Sequence, residues 1–381
     1  MSTSTPLRTA LIGVALAATA LVPLQGTALA AQPGTNATAT TTSSVSGIED
    51  ATALALARSL ADPDWSREVR RAALAADSVG LGALTDDANA PAGRKLAARI
   101  TAADRGVAAA KGLGSGVGPL LRLGLADASM KDRLAPGTAP LVAAAPSDDD
   151  GASTFTAYDS RGAAHELPLD IAPDRPVYLV DIDGAKAVTE GLKVIDKTLE
   201  SKGLGLPAPS AGTSLSAASG IDTTRIDSVR LGDVEEPFFK GDAEIFTLVT
   251  GFGKDGKPRV DTVEMPYLNK EDTTYYPGQV LVNWSNYKYD MADAVMMEDD
   301  GDTNYQALAK AIATVLLTIT DQGAYIPLVD ALLDAIPTAW WTDDPDYVDS
   351  WYTLARSSSG QRNGAAGNGW MTVSPYHVPE L

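Results

Sequence analysis

The sequence predicts an α+β protein, in which an α-helical N-terminal domain precedes a mainly antiparallel, sandwich-like β domain with C-terminal helices. Two observations predict this class. Alanine-rich segments with apolar residues at helical spacing fill the first part of the chain. After residue 220, β-branched segments separated by turn residues come first and apolar helical segments come last. Strands followed by helices indicate an antiparallel sheet that helices cover on one side.

Residues 1–30 are predicted to be a cleavable signal peptide. One positive charge, Arg8, precedes an apolar run from Thr9 to Leu24 and the small-x-small tripeptide Ala28-Leu29-Ala30. The alternative is a membrane anchor, but Pro23 interrupts the run, which is short for the roughly 20 apolar residues that a membrane span needs. We therefore expect a protein secreted from Ala31 onward, without membrane insertion after cleavage.

Residues 31–46 are rich in Thr, Ser, Ala and Gly, and this composition predicts a flexible leader. The 381-residue chain has no cysteine. Because the oxidising exterior permits disulfides, packed cores and bound ions are the remaining sources of stability. The absence of cysteine also excludes thiolate nucleophiles, zinc–thiolate sites and iron–sulfur clusters.

The charge of the chain bears on its partners. The formal net charge is -19, which argues against nucleic acid and anionic membranes because both are bound through positive charge. Between Leu231 and Ser350 there are 23 Asp and Glu residues against 7 Lys and Arg residues. A solvated acidic surface is one interpretation, and clustering of the carboxylates favours a more specific role. The partner is expected to be an extracellular ligand or protein that the sequence does not identify.

Residues 47–140 are predicted to form the α-helical domain. A first helix around Ile48 to Leu60 ends at Asp62-Pro63-Asp64, where Asp64 can cap a second helix. A third helix begins after Pro91. The segment from Gly112 to Gly118 has alternate glycines and no preceding predicted strand, so we predict a turn and not a phosphate-binding loop.

Residues 150–202 are predicted to form a β-hairpin, a strand and a helix, and residues 203–220, rich in Gly, Ala, Ser and Pro, a linker. Residues 221–381 are predicted to be an acidic β-rich domain with C-terminal helices. Its strands are expected at 226–231, 244–252, 258–263, 279–284 and 287–297, and its helices at 305–320 and 326–336.

Two acidic loops are the candidate functional site. The first runs from Asp233 to Glu244 between two predicted strands, and the second from Glu298 to Asp302 before a helix. Calcium takes six to eight oxygen ligands from carboxylates and carbonyls on flexible backbone, and such loops supply them. If both loops bind one ion, we expect their opposing carboxylates to lie within roughly 5 Å of one another. The predicted ligands are Asp233, Glu236, Asp242, Glu244, Asp299, Asp300 and Asp302.

Each loop also has a simpler interpretation. Asp302 can cap the following helix while Glu298 to Asp300 complement its dipole, although Thr303 or Asn304 can also be the cap. The first loop can be a charged turn. Asp181 and Asp183, at the end of a predicted strand, are a third acidic site or an ordinary strand end.

The segments GDAEIF and DDGD, each beside a predicted strand, resemble the calcium-binding, C2-like β-sandwich modules of secreted bacterial proteins. The whole chain also resembles an exported bacterial family, domain of unknown function number three-one-zero-three. The resemblance is best over roughly the last 150 residues. It implies a β-sandwich and a bound Ca²⁺, with ligands at the seven positions given above, and it implies no reaction. No EF-hand spacing is present.

We therefore expect a secreted, non-catalytic, calcium-stabilised binding or structural protein. With only two histidines, the chain cannot form an HExxH or three-histidine zinc site, and no G-x-S-x-G segment is present. The alternative is an extracellular hydrolase that uses carboxylates. The aromatic and acidic segment from Trp340 to Tyr352 would be its sugar-stacking surface, unless these aromatic residues anchor the C-terminal segment on the core.

Overall fold

A computed structural model describes residues 44–146, 153–169, 171–206, 220–233, 243–299, 301–336 and 347–379. The predicted signal peptide, the predicted leader up to residue 43 and most of the predicted linker lie outside these ranges. The helices in the described residues are α1 (Val45–Ser59), α2 (Pro63–Ala75), α3 (Leu81–Asp86), α4 (Pro91–Ala110), α5 (Met130–Leu134), α6 (Gly184–Ser201), α7 (Tyr305–Leu316) and α8 (Val329–Ala335). No helix among these is long and apolar enough to cross a membrane.

The strands in the same residues form three sheets. They are β1 (Ser78–Gly80), β2 (Leu121–Leu125), β3 (Leu141–Ala144), β4 (Thr154–Tyr158), β5 (Ala164–Pro168), β6 (Val177–Ile182), β7 (Ile221–Leu231), β8 (Ile245–Phe252), β9 (Pro258–Glu264), β10 (Gln279–Asn283), β11 (Met291–Glu298), β12 (Tyr347–Ala355), β13 (Gly360–Asn363) and β14 (Gly369–Val378). Sheet A has the order β1-β2-β6-β3-β4-β5, sheet B β10-β7-β14-β13 and sheet C β12-β11-β8-β9. The pairings are antiparallel except between β3 and β6. The predicted α+β class is confirmed.

The N-terminal helices cover one face of sheet A. In α2, Trp65, Val69 and Ala73 recur at helical spacing, and all three are buried in the core shared with β2 and β6. The helix begins two residues earlier than the sequence predicted. Asp62 is the cap and accepts hydrogen bonds from the N–H groups of Asp64 and Trp65, while Pro63 occupies the first helical position. Asp64 is therefore not the cap.

The segment predicted to be an α-helical domain, residues 47–140, also contributes strands β1 and β2 to sheet A, and β3 follows directly after it. The strands β1, β2 and β3 all lie before residue 145, and β2 and β3 both pair with β6 from the following segment. The predicted helices are present, but they rest on a sheet that the sequence analysis did not place there. The turn predicted from Gly112 to Gly118 connects α4 to β2.

Sheets B and C pack face to face as a sandwich. The core between them takes apolar side chains from β7, β10 and β14 on one side and from β8, β11 and β12 on the other. Helices α6, α7 and α8 cover the outer face of sheet C. All eight residues of β8 are buried because this central strand is covered on both faces. Its mainly apolar sequence, in which Thr247 and Thr250 are the polar residues, follows from that double burial.

The two predicted C-terminal helices are present as α7 and α8, and three strands that were not predicted follow them. These strands are β12, β13 and β14, of which β14 pairs with β7 over ten residues. Helix α6, which precedes the predicted linker, packs against α7. At Gly191 a Cβ atom would overlap the ring of Tyr305, so glycine permits this close approach. The last predicted domain thus depends on a helix from the preceding segment.

Candidate functional site

A cleft of about 460 Å³ lies where one end of sheet A meets sheet C. Strands β1, β2 and β6 form one side, β8 and β9 form the other, and the first turn of α6 closes it. The ionisable side chains that line it are Asp77, Arg122, Asp181, Asp183, Glu244 and Glu264. Five carboxylates around one guanidinium make this surface, which we call the acidic cleft, attractive to cations.

Strand β6 ends in the cleft and brings two of the carboxylates there. Asp181 lies opposite Arg122 of β2 in the strand register. Asp183 caps α6, since its side chain accepts a hydrogen bond from the backbone N–H of Lys186 at 3.2 Å. Its second oxygen accepts a hydrogen bond from Arg122 at 2.6 Å. The strand end that the sequence analysis left as a third acidic site is therefore part of the cleft, with Asp183 also holding the helix.

Glu244 brings the first acidic loop to the same cleft. A Cβ atom at Gly184, the first residue of α6, would overlap the Glu244 carboxylate, so the two groups are in direct contact. The N-terminus of an 18-residue helix carries a partial positive charge that favours a carboxylate there. The Glu244 carboxylate can therefore approach the start of α6 because residue 184 is a glycine.

The remaining carboxylates lie at the margins of the cleft. Glu264, the last residue of β9, accepts a hydrogen bond from the hydroxyl of Thr189 at 2.7 Å. Asp77 accepts a hydrogen bond from Lys131 at 2.6 Å, and this bond lowers the pKa of Asp77. These contacts fix carboxylate oxygens at both margins. Hard oxygen ligands of this kind suit calcium, and their charge suits any cationic ligand.

The second acidic loop has a different environment. Asp299 is buried, and its two oxygens accept hydrogen bonds from Lys111 and from the hydroxyl of Tyr305, both at 2.7 Å. Lys111 is fully buried at the end of α4 and also donates to the carbonyl of Gly301 at 2.6 Å. A cation from this chain thus occupies the position beside Asp299 that the sequence analysis assigned to calcium.

Asp302 is bonded to the first turn of α1, whose cap is Ser44, and it does not cap the helix that follows it. One oxygen accepts a hydrogen bond from the backbone N–H of Val45 at 2.8 Å, at the first turn of α1. Asn304 caps α7 by accepting a hydrogen bond from the N–H of Ala307 at 2.9 Å. Of the three caps proposed for α7 from the sequence, Asp302, Thr303 and Asn304, the one observed is Asn304, and Asp302 instead joins the second loop to α1.

The two acidic loops meet at their backbones. Strands β8 and β11 are neighbours, and the N–H of Asp299 donates to the carbonyl of Glu244 at 3.2 Å. Asp233 lies at the end of β7, where its N–H donates to Asn368 at 2.8 Å. The three other predicted ligands, Glu236, Asp242 and Asp300, lie outside the described residues. Among the residues that are described, no group of three or more His, Asp or Glu side chains is placed to hold a metal ion.

The C-terminal aromatic segment contributes to the core where it is described. Trp351 is buried between sheets B and C and donates to the carbonyl of Arg362 at 3.1 Å. Asp349 is fully buried and accepts hydrogen bonds from the N–H groups of Ala366 and Gly369 at 2.9 and 2.8 Å. These two residues stabilise the fold. Residues 337–346, which include Trp340 and Trp341, lie outside the described ranges.

A family model described as "Protein of unknown function (DUF3103)" matches residues 51–380. The chain belongs to this family. All residues that line the acidic cleft fall within the matched range, whereas the predicted signal peptide and leader precede it. No curated protein and no solved structure matches the chain, so the resemblance to C2-like modules is not confirmed.

Three ionisable groups in the cleft of this DUF3103 protein, Asp77, Arg122 and Glu264, were not predicted from the sequence. Arg122 lies within the short strand β2, Asp77 directly precedes β1, and Glu264 ends an edge strand, so none stands in a recognisable motif. The signal that could have found Arg122 was its position within the apolar segment LRLGL, where a charged residue must reach a partner or solvent. Predicting that partner requires the pairing of β2 with β6.

Proposed function

We propose that this protein is a secreted, non-catalytic binding protein that calcium stabilises, with the ion held by the first acidic loop at the acidic cleft. One observation carries the proposal. Glu244, from the end of that loop, shares one cavity with Asp181 and Asp183 from the end of β6. The cavity therefore combines two of the acidic segments that the sequence singled out, although they lie about sixty residues apart in the chain.

The second loop has a structural role in this proposal. Lys111 neutralises Asp299, and Asp302 is bonded to the first turn of α1, so neither carboxylate is needed for the ion. Because no described group of three acids is placed to bind a metal ion, the proposal requires at least one ligand from residues 234–242. Asp242 and Glu236, which the sequence analysis already selected, are the residues that we assign to this role.

Thermal unfolding in calcium and in chelator tests the proposal. Binding to the folded state stabilises it by mass action, by about 2.7 kcal/mol at a free calcium concentration about 100 times the Kd. The melting temperature should therefore rise in calcium, return in EGTA, and respond much less to magnesium, which demands a stricter geometry. The rise should be lost in Asp242→Asn and Glu244→Gln and kept in Asp86→Asn, an exposed carboxylate on α3. A wild-type melt that calcium leaves unchanged would overturn the calcium assignment.

A further inference from the structure

A second cavity, of about 710 Å³, opens beside the acidic cleft between β9 and β10. Three tyrosines of the connecting loop line it, namely Tyr267, Tyr275 and Tyr276, together with Pro266 and Pro277. Tyr276 is 79% exposed, although aromatic side chains are usually buried. We call this cavity the tyrosine groove.

The groove is held in shape by contacts within the loop. The rings of Tyr267 and Tyr275 lie 6.0 Å apart, and their hydroxyls donate to Gln279 at 2.5 Å and to Asn269 at 2.8 Å. The backbone of Tyr275 exchanges two hydrogen bonds with Val229 of β7, at 2.9 and 3.0 Å. These bonds fix the rings of Tyr267 and Tyr275 before any ligand arrives, which lowers the entropic cost of binding.

The groove and the acidic cleft are continuous. Glu264 and Pro266 line both cavities, so one extended ligand can occupy both at the same time. Gln279 donates to the carbonyl of Glu264 at 2.9 Å and ties the shared wall to β10. The combined surface is therefore aromatic and rich in proline at one end and negatively charged at the other.

From this arrangement we infer that the groove and cleft together bind an extended basic peptide segment. Lysine or arginine side chains pair with the cleft carboxylates, and proline or aliphatic side chains pack on the tyrosine rings. Cationic groups are also attracted to the faces of tyrosine rings, so the positively charged residues gain at both ends. The inference specifies the ligand of the proposed binding protein, but it requires no bound ion.

Charge and length decide between this ligand and others. A neutral sugar would stack on tyrosines equally well, but it gains nothing from five carboxylates around one guanidinium. Each cavity alone has the volume of a small-molecule site, and their continuity calls for an occupant longer than one residue. Strands β9 and β10 are edge strands of sheets C and B, and edge strands offer backbone groups to an extended chain.

Fluorescence polarisation with a labelled peptide of alternating lysine and proline tests the inference. The buffer contains EGTA, so that the result is independent of any calcium effect. We expect saturable binding that weakens with added salt, and no binding of the matched peptide of alternating glutamate and proline. Glu264→Gln and Tyr276→Ala should each weaken binding by about tenfold, a size typical of a central contact in an interface.

Tyr376→Ala is the matched control, because Tyr376 is also an exposed tyrosine, 41% exposed, but lies on β14 at a different cavity. It should leave the affinity unchanged. Circular dichroism melts verify that each variant is folded. Equal binding of the lysine and glutamate peptides, wild-type affinity in both groove variants, or no saturable binding by the wild-type protein would each overturn the inference. Preferential binding of uncharged oligosaccharides would do the same.

Discussion

A single buried lysine connects the N-terminal helices to the sandwich. The ammonium group of Lys111 is bonded to Asp299 and to the carbonyl of Gly301, and lies 5.5 Å from the centre of the Tyr305 ring. The backbone carbonyl of Lys111 also accepts the N–H of Tyr305 at 3.0 Å. Removing water from both charges is costly, and the pair is tolerated because each charged group has several partners.

Lys111→Met should therefore destabilise the fold strongly. It keeps the length of the side chain but leaves the Asp299 carboxylate buried without its counter-charge, which typically costs about 3–5 kcal/mol. Urea unfolding measures the change. Lys193→Met, which breaks an exposed pair with Glu190, is the control and should cost less than about 1 kcal/mol. The double variant Lys111→Met with Asp299→Asn should recover part of the loss, and a single variant as stable as the control would contradict this account.

The end of α4 shows how one helix terminus positions a second helix. Gly112 has φ +64°, and the N–H groups of Gly112 and Leu113 donate to the carbonyls of Ala109 and Ala108, which is a Schellman termination. Asn304, the cap of α7, donates to the carbonyl of Ala110 at 2.6 Å. The last turn of α4 thus lies directly against the first turn of α7.

Gly112→Ala tests this close approach. A left-handed conformation costs a non-glycine residue roughly 1–2 kcal/mol, and here a Cβ atom would also lie 2.6 Å from Oδ1 of Asn304. We expect a total cost of about 2–4 kcal/mol in urea unfolding. Gly118→Ala is the matched control: it has φ +78°, but its nearest contact would be Lys186 at 3.6 Å, so only the backbone cost remains. Equal losses in the two variants would show that the contact between α4 and α7 contributes nothing.

The elements that could be predicted from sequence have strong local signals. Helix α6, with buried Val188, Leu192, Ile195 and Leu199, and the hairpin of β8 and β9 lie where the pattern placed them. Strands β2 and β3 were missed because a four- or five-residue apolar segment fits a helix as well as a strand. Their identity depends on β6, a partner about forty to sixty residues further along the chain.

The candidate site, too, could be predicted from the sequence only in part. Asp181, Asp183 and Glu244 could be selected because acids at strand ends are visible in the sequence, whereas their meeting depends on sheets A and C coming together. Asp299 was assigned to an ion because its partner, Lys111, lies 188 residues away. A buried lysine gives no local sign of the carboxylate it will meet. The acidic segments could therefore be located from the sequence, but the residues that they contact could not.

At the scale of the whole molecule, two carboxyl groups, Asp321 and Asp261, have opposite effects on stability. Hydrogen bonds from Lys288 first, and then from Tyr289 and the N–H of Gly323, lower the pKa of Asp321 to about 2. Burial first, and then the negative charge of Asp196, raise the pKa of Asp261 to about 6. Both groups have an ordinary pKa of 3.8. The first group stabilises the folded protein at neutral pH, and the second destabilises it.

The pH dependence of two asparagine variants should therefore have opposite signs. The Asp261 contribution favours folding fully below about pH 4 and is lost as the pH rises to about 6, so Asp261→Asn should gain about 1–2 kcal/mol at pH 7.5 and nothing below pH 4. The Asp321 contribution is present above pH 4 and is lost as the pH falls to about 2, so Asp321→Asn should lose stability at pH 7.5. That loss should shrink toward pH 2.

Urea unfolding across this pH range measures both variants. Because each variant serves as the control for the other, profiles that shift in the same direction would contradict the assignment. The carboxylate of Asp261 belongs to the sandwich, so a gain in its variant would mean that the net charge of -19 includes acids retained at a cost to stability.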